Sequence, residues 1–450
     1  MSKFIHTFFA IFISLSAIGN SGEINILGQV KNHSSDPITI TYLNNQKLTS
    51  TELDVDGKFS ISAEIEGGYY FLKYGRNTIY IYLNPKDELS IFFDAKNFKE
   101  TLVFEGKGAT RNKYLAKKAK VKEELTKDFE AFYKVDETVY LKNLMKIKDA
   151  HLTLLSQYDV ERFFVKEEKK SLEYERLLNI QNYKSNYKFY LGDDIILSEN
   201  FYEPIKKVNL NNDKDYKKQL YFRYLVNSVW SKRIDAAPNV DEMLNVLRRV
   251  PSKELAISLV NGFYSKITIK ENRAKDYLNL IKKVTNHKPF IEAVEKKYEK
   301  IINSKALTVG DASPEFSFED IGGKEFSLGD FKGKYVYIDV WATWCTPCIK
   351  QIPYLKELEK RYHDKNIVFV SISVDKKEDK DTWRNMINDK GLVGVQLFAD
   401  KSFESDFMNA YAVTSIPRFI LIDPQGKIVT SEAPRPSFDK TKTLLDKLLN

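Results

Sequence analysis

The sequence predicts a multidomain chain with an N-terminal β-sandwich, a central all-α region and a C-terminal α/β domain. Its 450 residues are more than one hydrophobic core normally organises, so about two or three domains are expected. The spacing of apolar residues changes twice along the chain, from short β-type runs to helical stripes and then to alternating strands and helices. A hydrophobic fraction of 43% and an aromatic fraction of 13% argue against extensive disorder.

The N-terminus has the composition of a secretory signal. Lys3 supplies a positive charge, the stretch from Phe8 to Ile18 is largely apolar, and Ala17 to Gly19 offers small residues for cleavage. This pattern predicts a signal peptide over residues 1–19 and export to the periplasm, with a buried helix or an uncleaved anchor as alternatives. No later segment is apolar enough to cross a bilayer, so we expect no stable membrane span after signal removal.

The charge balance does not favour nucleic acid as a partner. The net charge of +8 comes from 70 basic and 62 acidic side chains spread along the chain. Nucleic-acid-binding domains concentrate Lys and Arg on one face or in one block, and no such block is present in the sequence. We therefore interpret the charges as a solvated surface.

Residues 22–105 have the pattern of a small β-sandwich domain. The stretches Ile38–Tyr42, Phe59–Ser62 and Thr78–Tyr82 are rich in β-branched and aromatic residues with partial alternation. Turn residues such as Asp56 and Gly57 separate them. Short strands at this spacing are typical of a sandwich of two sheets.

Residues 110–304 are predicted to form a helical domain. Apolar residues at helical spacing form a stripe at Val240, Met243, Leu247 and Val250, with Lys and Glu filling the other faces. This region is also rich in aromatic residues. Core packing accounts for most of them, and a peptide-binding groove is the alternative.

Residues 307–450 alternate between strands and helices around a predicted central sheet. Gly310 to Pro314 has the composition of a linker, and Asp423 to Gly426 has that of a hairpin turn. Between and after these lie the predicted strands Glu315–Phe318, Lys334–Val340, Ile367–Val374, Phe419–Ile422 and Lys427–Thr430, and helices from Cys345, around Thr382–Lys390 and from Ser437. This order is typical of α/β architecture.

The two cysteines of the chain, Cys345 and Cys348, form one CxxC motif at the predicted start of a helix. The free N–H groups and the positive dipole end of a helix stabilise a thiolate, so we expect Cys345 to be a nucleophile near neutral pH. Cys348 lies one turn further on the same face, where it can attack a mixed disulfide and release the partner. An exported chain that used disulfides as structural links would carry more cysteines, which favours a working pair.

The segment Trp344 to Cys348, directly after an apolar strand, resembles the active-site motif of the thioredoxin superfamily. Together with Gly322–Lys324, Phe331–Lys334 and Trp341–Cys345, it resembles the TlpA-like thiol–disulfide oxidoreductases of bacterial envelopes, over residues 307–450. The resemblance implies a thioredoxin fold and a disulfide reductase that acts on protein substrates. It also implies an upstream thiol protein as electron donor and no bound cofactor. The preceding residues are similar to extensions found on some secreted TlpA-like proteins.

The same resemblance assigns a kink and the substrate contacts. Pro353 stands where thioredoxins kink the helix that follows the motif. Ser415–Ile416–Pro417 matches the family loop whose proline is cis and faces the CxxC motif, so Pro417 is expected to be cis. The backbone of Ile416 would then pair with a bound substrate strand. Trp344, next to the nucleophile, is expected to pack the site and contact the substrate.

Asp339 lies six residues before Cys345, where thioredoxins carry a buried acid. Burial would raise its pKa, and its carboxylate would accept the proton of Cys348. The alternative is a solvent-exposed residue at the end of a strand.

Two positions depart from the family pattern and leave proton handling open. Gln351 replaces a glutamate that many TlpA-like reductases carry, and Ser371 aligns with the lysine partner of the buried acid.

Three other functions compete for these residues. A zinc site needs about four ligands, and the chain has only two cysteines and no histidines at ligand spacing, so no metal is expected. A peroxiredoxin-like antioxidant enzyme would need Thr three residues before its cysteine, where Ala342 stands. A partner-binding envelope protein could use the thioredoxin fold as a scaffold, although the intact cysteines argue against this.

Overall fold

The structure is a computed structural model that describes residues 21–268, 271–303 and 307–449. The predicted signal peptide over residues 1–19 lies outside the described residues. The chain divides into two compact units, one formed by residues 21–186 and 195–232 and the other by residues 187–194 and 233–449. Among the described helices, none is both long and apolar enough to cross a bilayer.

The strands of the described residues are β1 Ser21–Lys31, β2 Ile38–Thr41, β3 Lys47–Thr51, β4 Lys58–Glu66, β5 Gly68–Tyr74, β6 Asn77–Leu83, β7 Glu88–Asp94, β8 Val103–Lys107, β9 Ser317–Asp320, β10 Glu325–Ser327, β11 Tyr335–Trp341, β12 Ile367–Ser373, β13 Val395–Phe398, β14 Arg418–Ile422 and β15 Ile428–Thr430.

The α-helices of the described residues are α1 Phe98–Thr101, α2 Ala109–Leu125, α3 Phe129–Tyr133, α4 Glu137–Leu155, α5 Arg162–Leu191, α6 Glu203–Lys206, α7 Asp213–Lys218, α8 Leu220–Asp235, α9 Val240–Arg248, α10 Lys253–Lys266, α11 Ala274–Val284, α12 Lys288–Asn303, α13 Thr346–Ile349, α14 Ile352–Arg361, α15 Lys380–Lys390, α16 Asp406–Ala410 and α17 Asp439–Leu449.

The first unit begins with two four-stranded sheets, in the orders β4-β1-β7-β8 and β3-β2-β5-β6. Alternation along β4 buries Phe59, Ile61 and Ile65 in a core that both sheets share. At Gly28 of β1, an added Cβ would overlap Phe59 and the backbone of Ile91, so only glycine allows this close approach. The predicted N-terminal β-structure is confirmed.

Helices cover the second sheet of this unit through buried aromatic residues and one buried carboxylate. Tyr69 and Tyr82 of the sheet share a cluster with residues of α2, α4 and α5. The carboxylate of Glu168 on α5 accepts hydrogen bonds from Tyr69, from Tyr114 at 3.0 Å and from the Lys118 ammonium at 2.6 Å. These bonds tie the sheet to α2 and α5.

The second unit contains the helices α9 to α12 and a seven-stranded sheet in the order β10-β9-β13-β12-β11-β14-β15. Strand β11 lies between parallel β12 and antiparallel β14. On one face, Leu355 of α14 and Leu445 of α17 pack with Tyr337. On the other face, Trp383 of α15 and Phe407 of α16 pack with Ile338. The predicted α/β architecture is confirmed, while the domain boundaries at 22–105, 110–304 and 307–450 stay predictions.

The helix predicted from Cys345 is divided into two segments, α13 and α14, and Pro353 lies in the first turn of the second. Proline has no N–H to continue the helical bonding pattern, which explains the interruption before it. Several short elements of this unit differ from the sequence-based expectation. The strand expected at Glu315–Phe318 lies at Ser317–Asp320 as β9. The sequence does not predict β10, β13 or α16, and the pairing of β13 with β12 and β9 defines that strand.

Candidate active site

The site forms where β11 ends and α13 begins. Cys345 and Cys348 are joined by a disulfide, and their side chains are 4% and 2% exposed. Cys345 is the N-cap residue of α13, and its Sγ atom accepts the backbone N–H of Cys348 at 3.2 Å. After reduction, the same N–H points at the Cys345 sulfur and favours its thiolate over its thiol.

The loop before Cys345 is anchored by a buried carboxylate. Thr343 donates its backbone N–H and its hydroxyl to the two oxygens of Asp375, which also accepts the Ser373 hydroxyl at 2.8 Å. Asp375 is fully buried. Sequence reasoning missed this residue, although a polar residue at the carboxyl end of a buried strand is a recognised signal in α/β sheets.

The loop before β14 contains the expected cis-proline. The Ile416–Pro417 peptide bond is cis, and both side chains are half-buried. Strand β14 follows at Arg418 and pairs with β11, with Arg418 opposite Val340. This pairing brings the proline loop to the end of β11 from which the CxxC loop also starts.

The two tryptophans of the motif have different environments. Trp341 is 2% exposed and belongs to the core beneath the site. Trp344 is 45% exposed, and its ring centroid lies 6.4 Å from that of Phe403. Trp344 therefore offers an aromatic surface next to the disulfide.

Asp339 is buried, 6% exposed, rather than at a solvated strand end. Within the described residues its Oδ1 atom has no hydrogen-bond partner. Burial, and then the nearby charge of Glu359, raise the pKa of Asp339 to about 8. On the neighbouring strand Ser371 lies opposite, so no lysine faces this carboxyl from that position.

A second carboxyl group, Glu359, lies close to Asp339 and was not predicted. Burial raises the pKa of Glu359 to about 7, while Lys356 on the same helix lowers it. Helical spacing places Glu359 on the same face as Ile352 and Leu355, but it does not show that a carboxylate there is buried. Glu359 thus continues the buried stripe of α14 with a carboxylate.

Two other polar residues discussed from the sequence lie elsewhere. The Gln351 side chain is 8% exposed, and its Oε1 atom accepts the backbone N–H of Ser437 at 3.1 Å. His363 is exposed, with its Nε2 atom 2.9 Å from a carboxylate oxygen of Asp364. Gln351 therefore holds the segment before α17, and His363 lies on the surface.

Comparison with known proteins gives consistent similarities. The Redoxin family model matches residues 308–447. Thiol-disulfide oxidoreductase ResA of Bacillus thuringiensis (strain Al Hakam) is 33% identical over 127 residues, 28% of this chain and 70% of that protein. ResA of Bacillus subtilis (strain 168) is 33% identical over 126 residues, 28% of this chain and 67% of that protein. The thioredoxin domain of a thiol-disulfide oxidoreductase from Bacteroides vulgatus is 32% identical, covering 32% of this chain and 100% of that domain with a TM-score of 0.30.

Proposed function

Because this chain belongs to the thiol–disulfide oxidoreductase family that includes ResA, we propose that Cys345 and Cys348 are its redox pair and reduce disulfides in protein substrates. The arrangement of the two sulfurs carries the proposal. Cys345 caps a helix and receives the Cys348 N–H, so it is the group whose thiolate the backbone stabilises.

The reaction proceeds by two exchanges. The Cys345 thiolate attacks a substrate disulfide, forms a mixed disulfide and releases one substrate sulfur as a thiolate. Cys348 then loses its proton and attacks the Cys345 sulfur, which breaks the bond to the substrate and releases its second thiolate. The substrate gains two electrons, the pair becomes a disulfide, and another thiol protein restores the dithiol.

The surrounding residues are assigned to proton transfer and docking. Asp339 accepts the proton of Cys348, since its raised pKa suits a base near neutral pH. The backbone at Ile416 and Pro417 pairs with an extended substrate segment. The exposed ring of Trp344 packs against that segment.

We further propose that the protein works in the periplasm. The basis is the signal-like composition of residues 1–19 together with chemistry that needs an environment where protein disulfides form. Fractionation of cells and N-terminal sequencing of the exported protein test this. Retention of the full-length chain in the cytoplasm would contradict it.

Reduction of insulin in the presence of dithiothreitol tests the activity. The wild-type protein is expected to accelerate the reaction, and Cys345→Ser is expected to abolish the acceleration. Equal activity of the two proteins would overturn the proposal. Equilibration with glutathione buffers measures the reduction potential of the cysteine pair and so tests whether the protein reduces or oxidises its substrates. A potential near that of the strong oxidant DsbA, about −120 mV, would contradict the assignment as a reductase.

Trapping identifies the substrates. Cys348→Ala removes the resolving thiol, so mixed disulfides on Cys345 should accumulate in cells and be identified by mass spectrometry. Cys345→Ala with Cys348 intact is the matched control. A trap that yields no protein adducts beyond those of the control would contradict the assignment of protein substrates.

A further inference from the structure

Glu359 places a carboxylate inside the packed interface between α14 and the sheet. Its neighbours on the stripe, Leu355 and Leu358, are buried against Tyr337 of β11. Its Oε1 atom lies where a side chain at residue 394 would begin. A Cβ added to Gly394 would overlap that oxygen and come within 2.8 Å of the Phe369 carbonyl oxygen. Glycine at 394, with a φ of +70°, therefore leaves the space that this carboxylate occupies.

Asp339 faces the same interface from the sheet. Side chains alternate along a strand, so Asp339 shares the face of Tyr337, which α14 covers. The Oδ1 atom of Asp339 is buried without a hydrogen-bond partner in the described part of the chain. Burial, and then the charge of Glu359, raise the pKa of Asp339.

Glu359 is more exposed to solvent than Asp339. Its side chain is half-buried and lines a groove with Pro353, Lys356, His363 and Gly394. Asp339 thus lies on the strand that leads to the CxxC loop, and Glu359 lies between it and the solvent-filled groove.

We propose that Glu359 is a positioning residue that acts through Asp339, by passing the proton of the resolving step between the buried Asp339 and the solvent groove. The inference rests on the proposed function, because it concerns the step in which Cys348 attacks the mixed disulfide. It assigns a proton exit that the Cys345–Cys348 motif itself does not supply.

The resolving step transfers one proton and one electron pair from Cys348. The Cys348 thiol gives its proton to the Asp339 carboxylate, and its electron pair forms the bond to the Cys345 sulfur. The bond between Cys345 and the substrate breaks, and the substrate leaves as a thiolate that takes a proton from water. Asp339 passes its proton to Glu359, which releases it to water in the groove.

The charged groups around Glu359 set the pH range of this transfer. Asp339 faces it from β11, and Lys356 is its nearest cation on α14. The other titratable groups that line the groove are Glu357, Lys360 and His363. Strand β12 and the turn at Gly394 contribute backbone and apolar atoms there. Two coupled carboxyls in one site release their protons in two macroscopic steps.

The resolving step can be followed with a chromogenic disulfide. Reduced protein attacks 5,5′-dithiobis(2-nitrobenzoate) with Cys345 and releases one coloured thiolate, and attack by Cys348 releases a second. The pH dependence of the second release should show two steps for the wild-type protein. For Glu359→Gln it should show one step at lower pH, because burial still raises the pKa of Asp339 but the like charge of Glu359 no longer adds to it.

In Glu359→Gln, the side chain at position 359 can no longer accept the proton from Asp339. At neutral pH we expect the second release to slow by about tenfold and to become dependent on buffer concentration, since small buffer acids and bases then carry the proton. Glu378→Gln is the control, since this exposed glutamate lies beside Lys376 and does not line the groove. Glu359→Asp should restore part of the buffer-independent rate.

A wild-type pH profile and no buffer dependence in Glu359→Gln would overturn the inference. The wild-type protein offers a second test, in which the pH titration of the Asp339 carboxyl carbon is followed by NMR. A single-step titration curve, with no second step from Glu359, would also overturn the inference. If the wild-type protein released no second thiolate at all, the proposed function itself would fail, which separates the two failures.

Discussion

Thr343 donates both its backbone N–H and its hydroxyl to Asp375, each at 2.8 Å, and so ties the loop before Cys345 to the end of β12. The two residues are 32 positions apart in the chain. The parallel pairing of β11 with β12 brings them together. Cys345 is thus held by a contact that lies outside the CxxC motif.

Removal of this carboxylate should loosen the loop. Asp375→Ala leaves a buried N–H and two hydroxyls without their acceptor, and we expect a loss of about 1–3 kcal/mol in the free energy of unfolding for a buried donor left unpaired. Urea unfolding followed by tryptophan fluorescence measures it. Asp381→Ala is the control, since that side chain is 89% exposed. A loss no larger than that of the control would contradict the anchoring role.

Asp339 should make the protein less stable as the pH rises. Its pKa is about 8 in the folded chain against 3.8 for an ordinary aspartate, so between these values the folded state holds a proton that the unfolded state has released. The free energy of unfolding then falls by about 1.4 kcal/mol per pH unit for this one proton, and levels off above the folded pKa.

Asp339→Asn removes that contribution. The variant should gain stability over the wild-type protein in alkaline buffer and resemble it in acid, with a smaller slope remaining from Glu359, whose pKa is raised to about 7. Urea unfolding of the oxidised proteins across this pH range is the measurement. Parallel pH profiles for the two proteins would show that Asp339 is ionised normally.

Alanine substitutions of the two tryptophans of the motif should have different effects, one on substrate docking and the other on stability. Trp344→Ala should raise the KM for a protein substrate with little change in unfolding, because the ring is 45% exposed. Trp341→Ala should instead cost about 3–5 kcal/mol of stability, because it empties a fully packed site. Insulin reduction kinetics and urea unfolding of both variants check this. An unchanged KM in Trp344→Ala would remove this residue from the docking surface.

In the first unit, Glu168→Ala should destabilise the contact between the second sheet and its helices. The change leaves the Lys118 ammonium buried and unpaired, a loss of about 3–5 kcal/mol. Hydrogen exchange measured on peptides from α2 and α5 locates the effect, and Glu100→Ala at the surface pair with Lys120 is the control. Exchange equal to that of the control would contradict a structural role for Glu168.

Features that are carried by a short stretch of chain could be predicted from the sequence. The CxxC pair is visible in four adjacent residues and agrees with the structure. The interruption at Pro353 and the cis bond before Pro417 are implied by the resemblance to thioredoxins, and both agree with the structure. The fold class followed in the same way, because the three regions differ in their hydrophobic spacing.

Features that depend on contacts between distant residues could not be predicted from the sequence. Asp375 gains its role only through the register of two parallel strands, and Glu359 through the space left by Gly394 on a different element. A glutamate on an otherwise apolar helix face is usually interpreted as a surface residue. Pattern reasoning has no measure of the distance between Asp339 and a group twenty positions further along.

The disulfide joins residues only three positions apart, and Cys345 and Cys348 are the two cysteines of the whole chain. A loop this short removes little entropy from the unfolded chain, so opening it costs the fold little. In the proposed reaction cycle, therefore, two sulfur atoms change their bonding while the rest of the fold keeps its contacts. Because the chain has no other cysteines, the number of free thiols per molecule directly gives the fraction of the protein in the reduced, dithiol form.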